Sequence, residues 1–379
     1  MNLAGLRIGI VGAGIGGMSA ALALARAGSQ PTVFEQAPSL GEVGAGISLS
    51  PNAVKGLWYL GLGEPLAEQA DEPPIQCTRH YQTGAELVRI DRADTPERYG
   101  APYLQMHRAD LHALLQEKLW ERVPDAVRLG SRLTGIDESA DEVTLHFDDG
   151  SAWSGDLVIA ADGLRSQTRE IHFGESSPEF TGYVAWRGLV PGEKLSHLDM
   201  WPGSTVFAAP ARIFVHYPVR HGALRNYVAF ARTHEWTEES WSQPAEIDAL
   251  IELFSDFHPE ACGILEHTPE GSCHKWGLFA RPPVPRWATG RVVLLGDAAH
   301  PMLPWFGQGA ACAIEDAVGL CRALVESSAA DEALQRYESA RHDRVDIIYE
   351  ESMLGGERLS GENTEALADR PPRTEDSLG

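Results

Sequence analysis

Four short apolar runs, spread along the chain, read as strands buried on both faces: Leu6 to Val11, Thr32 to Phe34, Leu157 to Ala161 and Arg291 to Leu295. The first leads into small residues from Met18 to Ala25, the pattern of a helix packed closely on a sheet. Leucines 111, 114, 115 and 119 recur at helical spacing. They predict one buried helix face running to about Glu121, entered from Gln105 to Leu111. Elsewhere the pattern alternates. Glu142 to Phe147 and Ser151 to Trp153 are two β runs joined by the turn Asp148-Asp149-Gly150. Gly182 to Val190, Thr205 to Ala208, Ile213 to Val219 and Tyr227 to Ala231 are rich in aromatic and β-branched residues. They predict an antiparallel sheet, interrupted by one helix near Pro244 to Phe257. Alternating runs such as Cys77 to Tyr81, within the polar stretch 71–100, predict strands of a peripheral sheet. Gly44 to Asn52 reads as a loop passing into a helix from Ala53 to Leu62. Helices from about Gln308 to Glu326 and Asp331 to Leu354 precede a tail rich in Gly, Glu and Pro, which is expected to fray.

Because the buried-strand pattern returns after Gly290, the first unit is discontinuous. The prediction is an α/β fold: a Rossmann-like nucleotide-binding domain from residues 1–70, 101–175 and 286–379, ending in C-terminal helices. Residues 71–100 and 176–285 supply an inserted, mainly antiparallel β-sheet domain for substrate. A length of 379 residues and a 43% hydrophobic content suffice for two domains, or for one large domain with an insertion. The 31 basic against 54 acidic residues give a net charge of −23, a field that repels nucleic acid and anionic lipid. No segment has the length and apolarity of a transmembrane span. Five cysteines without a C-x-x-C pair indicate neither a disulfide framework nor a zinc site, and a reducing cytoplasm is the expected compartment. The 14 histidines lack metal-ligand spacing, so no metal role is expected.

The chemistry gathers at glycine-rich signatures. Gly12-Ala13-Gly14-Ile15-Gly16-Gly17 joins the first strand to the first helix, as a dinucleotide fingerprint requires. Gly12 permits the tight turn, Gly14 admits a pyrophosphate, and Gly17 lets the helix lie close to the strand. The free N–H groups at the helix start attract the phosphate charge. Glu35, at the end of the second strand, stands where a carboxylate takes both hydroxyls of a ribose. Asp162-Gly163 and Gly296-Asp297 each close a buried strand at its carboxyl end, where ligands of open α/β sheets bind. Bland readings stand beside these: Asp297 as a helix N-cap, Asp162 as the start of a turn, Arg165 as a surface charge.

The order and spacing of these signatures resemble the single-component flavoprotein aromatic hydroxylases, the group A flavin monooxygenases of the p-hydroxybenzoate hydroxylase fold. Within them the chain is most similar to the salicylate hydroxylase and 3-hydroxybenzoate 6-hydroxylase branch, from Ile8 to about Arg344. The resemblance implies noncovalent FAD. Gly12 to Gly17 would hold its ADP part, Asp162 and Gly163 would serve both FAD and the nicotinamide cofactor, and Asp297 would hold the ribityl chain. Arg108, in the R-x-D-L segment Arg108-Ala109-Asp110-Leu111, would contact FAD. Gly46 would let the backbone approach the flat ligand. Pro304, Gly307, Gly309 and Ala310 would deliver a helix N-terminus that stabilises negative charge on a reduced flavin. No second G-x-G-x-x-G exists, so NADH or NADPH would bind transiently beside the flavin, with NADH preferred. The implied cycle reduces FAD with NAD(P)H, adds O2 at C4a, and passes an oxygen atom from the hydroperoxide to a small aromatic or heteroaromatic substrate.

The strand Ala211 to Val219 would run along the ring pocket, with Ile213, Val215 and Tyr217 on one face and Phe214 and His216 on the other. Similar hydroxylases carry a histidine four residues before this tyrosine. Ile213 stands there, which leaves Tyr217 as the first catalytic candidate and His216 as a second, each set against a structural alternative. Trp305, Phe306 and Cys312 also depart from the residues expected in this branch. His300, beside the Gly296-Asp297 signature, ranks below Tyr217 as a base. Trp186 and Arg187 are candidates to shape the sheet and hold a carboxylate, though Arg187 can equally pair with a surface acid. An epoxidase or natural-product tailoring oxygenase, and a flavin-bound sensor without turnover, are the rival readings. The expected assembly is a monomer or homodimer.

Overall fold

A computed structural model describes residues 1–41, 45–174, 177–233 and 243–359. The chain opens with β1 (Ile8–Val11), α1 (Ile15–Arg26), β2 (Thr32–Phe34), β3 (Gly46–Leu49), α2 (Pro51–Tyr59) and α3 (Gly63–Gln69). Next come β4 (Ile75–His80), β5 (Glu86–Asp91), α4 (Thr95–Tyr99), β6 (Leu104–His107) and α5 (Arg108–Trp120). A run of strands follows, β7 (Val127–Arg128), β8 (Leu133–Glu138), β9 (Val143–Phe147), β10 (Ala152–Gly155) and β11 (Leu157–Ala160), closed by α6 (Gln167–Phe173). Then come β12 (Glu179–Pro191), β13 (Ser204–Ala209), β14 (Arg212–Val219), β15 (Leu224–Arg232), β16 (Gln243–Pro244), α7 (Ile247–Leu253), α8 (Pro259–Glu266) and β17 (His274–Ala280). The chain finishes with β18 (Ala288–Thr289), β19 (Val292–Leu294), α9 (Gly309–Glu326) and α10 (Ala330–Leu359).

Two large sheets organise these elements. The first has the order β18-β19-β11-β1-β2-β7, parallel except for the edge pair β18 and β19. Its centre is apolar on both faces, with Ile10, Val158, Ile159 and Val293 fully buried, as a parallel sheet covered by helices on both sides demands. The core around α1, α2, α5 and α9 packs on it. The second sheet has eight strands in the order β16-β17-β12-β15-β14-β13-β4-β5. It is antiparallel but for the β13–β4 pair, and α7 and α8 cover one of its faces through Phe207, Phe214, Tyr227 and Phe254. The chain is thus an α/β protein with a Rossmann-like sheet and an antiparallel one. Among the described residues no helix is long and apolar enough to cross a membrane.

Several elements differ from the sequence reading. The expected loop into α2 contains a strand, β3, paired antiparallel with β6, which itself falls where only a helix entry was read. Both strands have four residues, too few for period to show; Gly44 lies outside the described residues. α2 begins at Pro51, whose fixed φ suits the first helical position. The helix read near Pro244 to Phe257 covers only Ile247–Leu253, and after a break over 254–258 a further helix that the sequence reading did not give, α8, starts at Pro259. β17 had no counterpart in the prediction. α10 runs on to Leu359, and the glycine-rich tail beyond it lies outside the described residues.

Candidate active site

The first wall of the site is the turn between β1 and α1. Gly12 has φ +99°, and a Cβ there would stand 2.4 Å from the Ala161 carbonyl oxygen; one at Gly17 would stand 2.0 Å from the carbonyl oxygen of Gly12. The turn closes only with glycine at both positions. Gly14, the N-cap of α1, is different: a Cβ there would meet nothing within 4 Å. That open space lies before the helix N–H groups, and the pyrophosphate of FAD fits it. Glu35, at the end of β2, is held by the N–H groups of Ala13 and Ala37, each donating at 2.8 Å to a different carboxylate oxygen. Both oxygens keep lone pairs for a ribose.

Asp162 and Asp297 occupy equivalent strand ends but are spent differently. Asp162 accepts from Ser166 Oγ (2.6 Å), Thr168 N–H (2.9 Å) and Thr168 Oγ1 (3.0 Å), fastening the start of α6. Burial pushes its carboxyl pKa up, and these bonds pull it back. The Asp162 carboxylate thus holds the start of α6, and Gly163 beside it turns at φ +77°. Arg165 is exposed. Asp297 accepts no hydrogen bond among the described residues. Its pKa is raised first by burial, while His300 and the guanidinium of Arg108, at the start of α5, oppose the rise. Buried Asp316 fixes the loop by accepting from Gly296 N–H (3.1 Å) and Arg341 Nε (2.7 Å) and by pairing with His300 Nε2 (2.7 Å). His300 is thereby committed to the frame.

Asp297 faces the N-terminus of α9, since a Cβ at Gly309 would stand 3.7 Å from Asp297 Oδ1. Pro304 is exposed at the start of a short turn, Gly307 reverses the chain, and Gly309 and Ala310 are half-exposed at the helix start. Gln308 Nε2 donates to Ser50 Oγ (3.1 Å), and Asn52 Nδ2 donates to Gln308 Oε1 (3.3 Å), tying α9 to the end of β3. A carboxylate that accepts nothing from the described residues, set beside the N–H groups of a helix N-terminus, pairs an acceptor for hydroxyls with donors for negative charge, and this arrangement fits FAD.

β3 lies against the eight-stranded sheet. Gly46 N–H donates to Asn226 Oδ1 at 2.6 Å, and a Cβ at Gly46 would fall 2.5 Å from the Tyr217 ring. Only glycine permits that approach, so the constraint on Gly46 comes from the sheet beneath it. Tyr217 is buried against Ser48, and burial raises its pKa far above the usual tyrosine value. Ile213 is buried on the same face with Tyr183, Phe230 and Trp276, and Trp305 packs on this cluster at 5.2 Å from Tyr183 and 4.7 Å from Phe230. Val206, Val215 and Val228 are cross-strand neighbours in mid-sheet, yet each is half-exposed. They pack against the cluster of Ile213, Tyr183, Phe230 and Trp276 and form a partly exposed apolar row on the face that meets β3. Arg187 continues their row, paired with Val228, its guanidinium 5.0 Å from the Trp276 ring.

His216 is on the opposite face. It is fully buried, accepts from Arg225 Nε at Nδ1 (3.0 Å), and has Nε2 3.5 Å from Glu260. Burial, then Arg225 and Arg79, hold its pKa well below the histidine range. The alternation that sends Tyr217 toward β3 sends His216 to the α7–α8 face, as the strand pattern predicted. A cavity of about 430 Å³ on that face, lined by Arg79, Trp201, His258 and Glu260, touches neither Asp297 nor Tyr217. Trp186 also turns to that side, packing on the α7–α8 cluster, and Cys312 is buried in α9. The sequence reading passed over Asn226, Gln105 and Ser48. An amide within an aromatic, β-branched strand was the available signal for Asn226.

A family model described as FAD binding domain matches residues 6–352. The chain is 38% identical over 371 residues to a 6-hydroxynicotinate 3-monooxygenase of Bordetella bronchiseptica, covering 94% of this chain and 91% of that one. It is 36% identical over 337 residues to 3-hydroxybenzoate 6-hydroxylase 1 of Aquipseudomonas alcaligenes, covering 89% and 85%. Among solved structures, Klebsiella pneumoniae HpxO complexed with FAD and uric acid superposes with a TM-score of 0.86 at 29% identity, covering 97% of this chain and 94% of that one.

Proposed function

We propose that this chain, which belongs to the FAD binding domain family and is a flavin-dependent aromatic monooxygenase, hydroxylates a small aromatic or heteroaromatic ring bearing a carboxylate. The observation that carries this reading is the half-exposed valine row, which faces β3 and ends at Arg187. A flat ring lies on the valines, and a guanidinium in the same row suits a carboxylate in a way that a lysine would not. The hydroxynicotinate and hydroxybenzoate of the two relatives' names are acids of this kind. Residues 71–100 and 176–285 form the substrate unit in this reading; the remainder binds the cofactor.

The reaction converts a ring C–H to C–OH with one atom of O2, while the other leaves as water. NAD(P)H supplies a hydride and the solvent a proton. FAD, held by Gly12, Gly14, Gly17, Glu35, Arg108 and Asp297, supplies the redox chemistry when bound. The chain's own groups do the rest. Gly309 and Ala310, at the start of α9, would turn their N–H groups toward negative charge on the bound cofactor. Tyr217, whose raised pKa keeps it protonated, donates a hydrogen bond and does not act as a base. Trp305, Tyr183 and Phe230 exclude water from the closed end. In this reading the assembly is a monomer or a homodimer. The test is a panel of aromatic acids, scored for stimulated NADH oxidation together with hydroxylated product. Bound FAD without a product from any acid would count against the reading.

A further inference from the structure

We propose that Asn226 is a positioning residue: it sets the register between the substrate sheet and the flavin-side strand β3, and through it the placement of Tyr217. The inference rests on the hydroxylase reading for its consequence in turnover, and on geometry alone for the lock itself. Asn226 is fully buried on β15 and is the cross-strand partner of Tyr217 on β14. Its Oδ1 accepts the Gly46 N–H at 2.6 Å, a bond between groups 180 positions apart in the chain. Gly46 is the first residue of β3 and pairs with His107 on β6, immediately before Arg108. The Arg108 N–H donates to the Ala45 carbonyl at 2.8 Å, and the far end of β3 is tied to α9 through Ser50 and Gln308. The elements that carry Arg108 and the α9 N-terminus therefore meet the sheet at this amide, alongside the pair of Arg220 with Asp110 on α5 and the packing of Trp305 on Tyr183 and Phe230.

The contact leaves no slack. A Cβ at Gly46 would stand 2.5 Å from Tyr217 Cε2, 2.6 Å from its hydroxyl oxygen and 2.7 Å from Asn226 Cγ. β3 thus rests directly on the tyrosine and the asparagine. Gln105, also buried, extends the seam by donating from Nε2 to Ser48 Oγ and Ser204 Oγ, each at 3.3 Å. The Gly46 bond uses only the amide oxygen. Asn226 Nδ2 is buried with no hydrogen-bond partner among the described residues, so the site keeps an amide where it uses one of its two ends. Oxygen transfer to a ring depends on placement to a fraction of an ångström, and a shift of about 1 Å costs on the order of a hundredfold. A bond that fixes strand against sheet acts on this quantity without touching substrate.

Asn226→Ala removes the acceptor, and Asn226→Asp keeps it. In the FAD-free protein, amide hydrogen exchange across 45–49 should be at least about tenfold faster in Asn226→Ala, with β14 and β15 unchanged, and near wild type in Asn226→Asp. In the FAD-loaded protein, flavin reduction by NADH should stay within about twofold of wild type. Product formed per NADH should fall at least about fivefold in Asn226→Ala, with peroxide rising to match, and Asn226→Asp should restore most of it. Should Asn226→Ala not fold, Asn226→Ser replaces it. Unchanged exchange across 45–49 would overturn the lock. Changed exchange with full coupling would reduce Asn226 to a structural role and overturn positioning, as would equal loss in the Asp and Ala variants. If no aromatic acid is hydroxylated by the wild type, the proposed reaction falls, and the exchange measurement still decides the lock.

Discussion

Asp297→Ala should weaken FAD binding while stabilising the FAD-free protein. The carboxylate is half-buried and accepts no hydrogen bond from the described residues, and its pKa is raised first by burial. A charge-assisted hydrogen bond to a ribityl hydroxyl contributes about 1.5–3 kcal/mol, so its loss lowers affinity roughly tenfold to a hundredfold. Stability moves the other way. Since the folded pKa lies above the unfolded value of about 3.9, the ionised group opposes folding at neutral pH, and that penalty vanishes as pH falls below both values. The variant's FAD-free melting temperature should therefore exceed wild type at pH 7 and converge on it near pH 4. Flavin fluorescence titration reads the affinity, and thermal melts with and without FAD read the two stabilities. A folded Asp297→Ala protein that binds FAD within threefold of wild type, or melts lower without FAD, would refute the reasoning.

Gly14→Val and Gly17→Ala should separate binding from folding: the first side chain enters open space and gives a folded protein that binds FAD weakly, while the second drives a Cβ into the Gly12 carbonyl and lowers soluble yield. Normal FAD affinity in Gly14→Val would remove the pyrophosphate assignment. Tyr217→Phe should keep FAD and lower product per NADH severalfold, measured as product against peroxide; full coupling would show that the hydroxyl has no role. Ile213→His places an imidazole in the buried cluster of Tyr183, Phe230 and Trp276 and should destabilise the fold by about 1–3 kcal/mol in denaturant melts. An unchanged melt, with faster turnover of phenols, would show instead that the position opens onto substrate. NADH should reduce the flavin faster than NADPH at equal low concentration in stopped flow, since the −23 net charge disfavours an added phosphate.

Much of the cofactor side was legible because its constraints are local. Gly12, Gly14 and Gly17 answer to a single turn, and the strands β1, β2, β11 and β19 announce themselves as apolar runs. The substrate side depends on what lies across a gap. Alternation along β14 correctly sent Tyr217 and His216 to opposite faces, yet nothing in the strand tells which face meets β3. Asp162 and Asp297 look alike in sequence, each ending a buried strand beside a glycine. Only the residues around them distinguish the two: Ser166 and Thr168 donate to Asp162, whereas Asp297 accepts no hydrogen bond from the described residues. Gly46 illustrates the limit most clearly: its need for glycine arises from Tyr217 and Asn226, which no window of sequence places beneath it. β3 and β6 were missed for the same reason, since each is too short to carry a pattern and exists through its partner.

The position of β11 between β1 and β19 bears on how the protein acquires its shape. Val158 pairs with Val292 across β12 to β17, most of the eight-stranded sheet, so this inner strand of the first sheet stays open on one edge until residue 292 has been made. Parallel pairings of such separation close slowly, and a nascent chain ending before β19 would expose the apolar edge of Leu157–Ala160 to other molecules. Shortening the chain to isolate a minimal cofactor-binding fragment would therefore give an aggregating product, whereas excising the insert and rejoining its two ends would leave the sheet able to close.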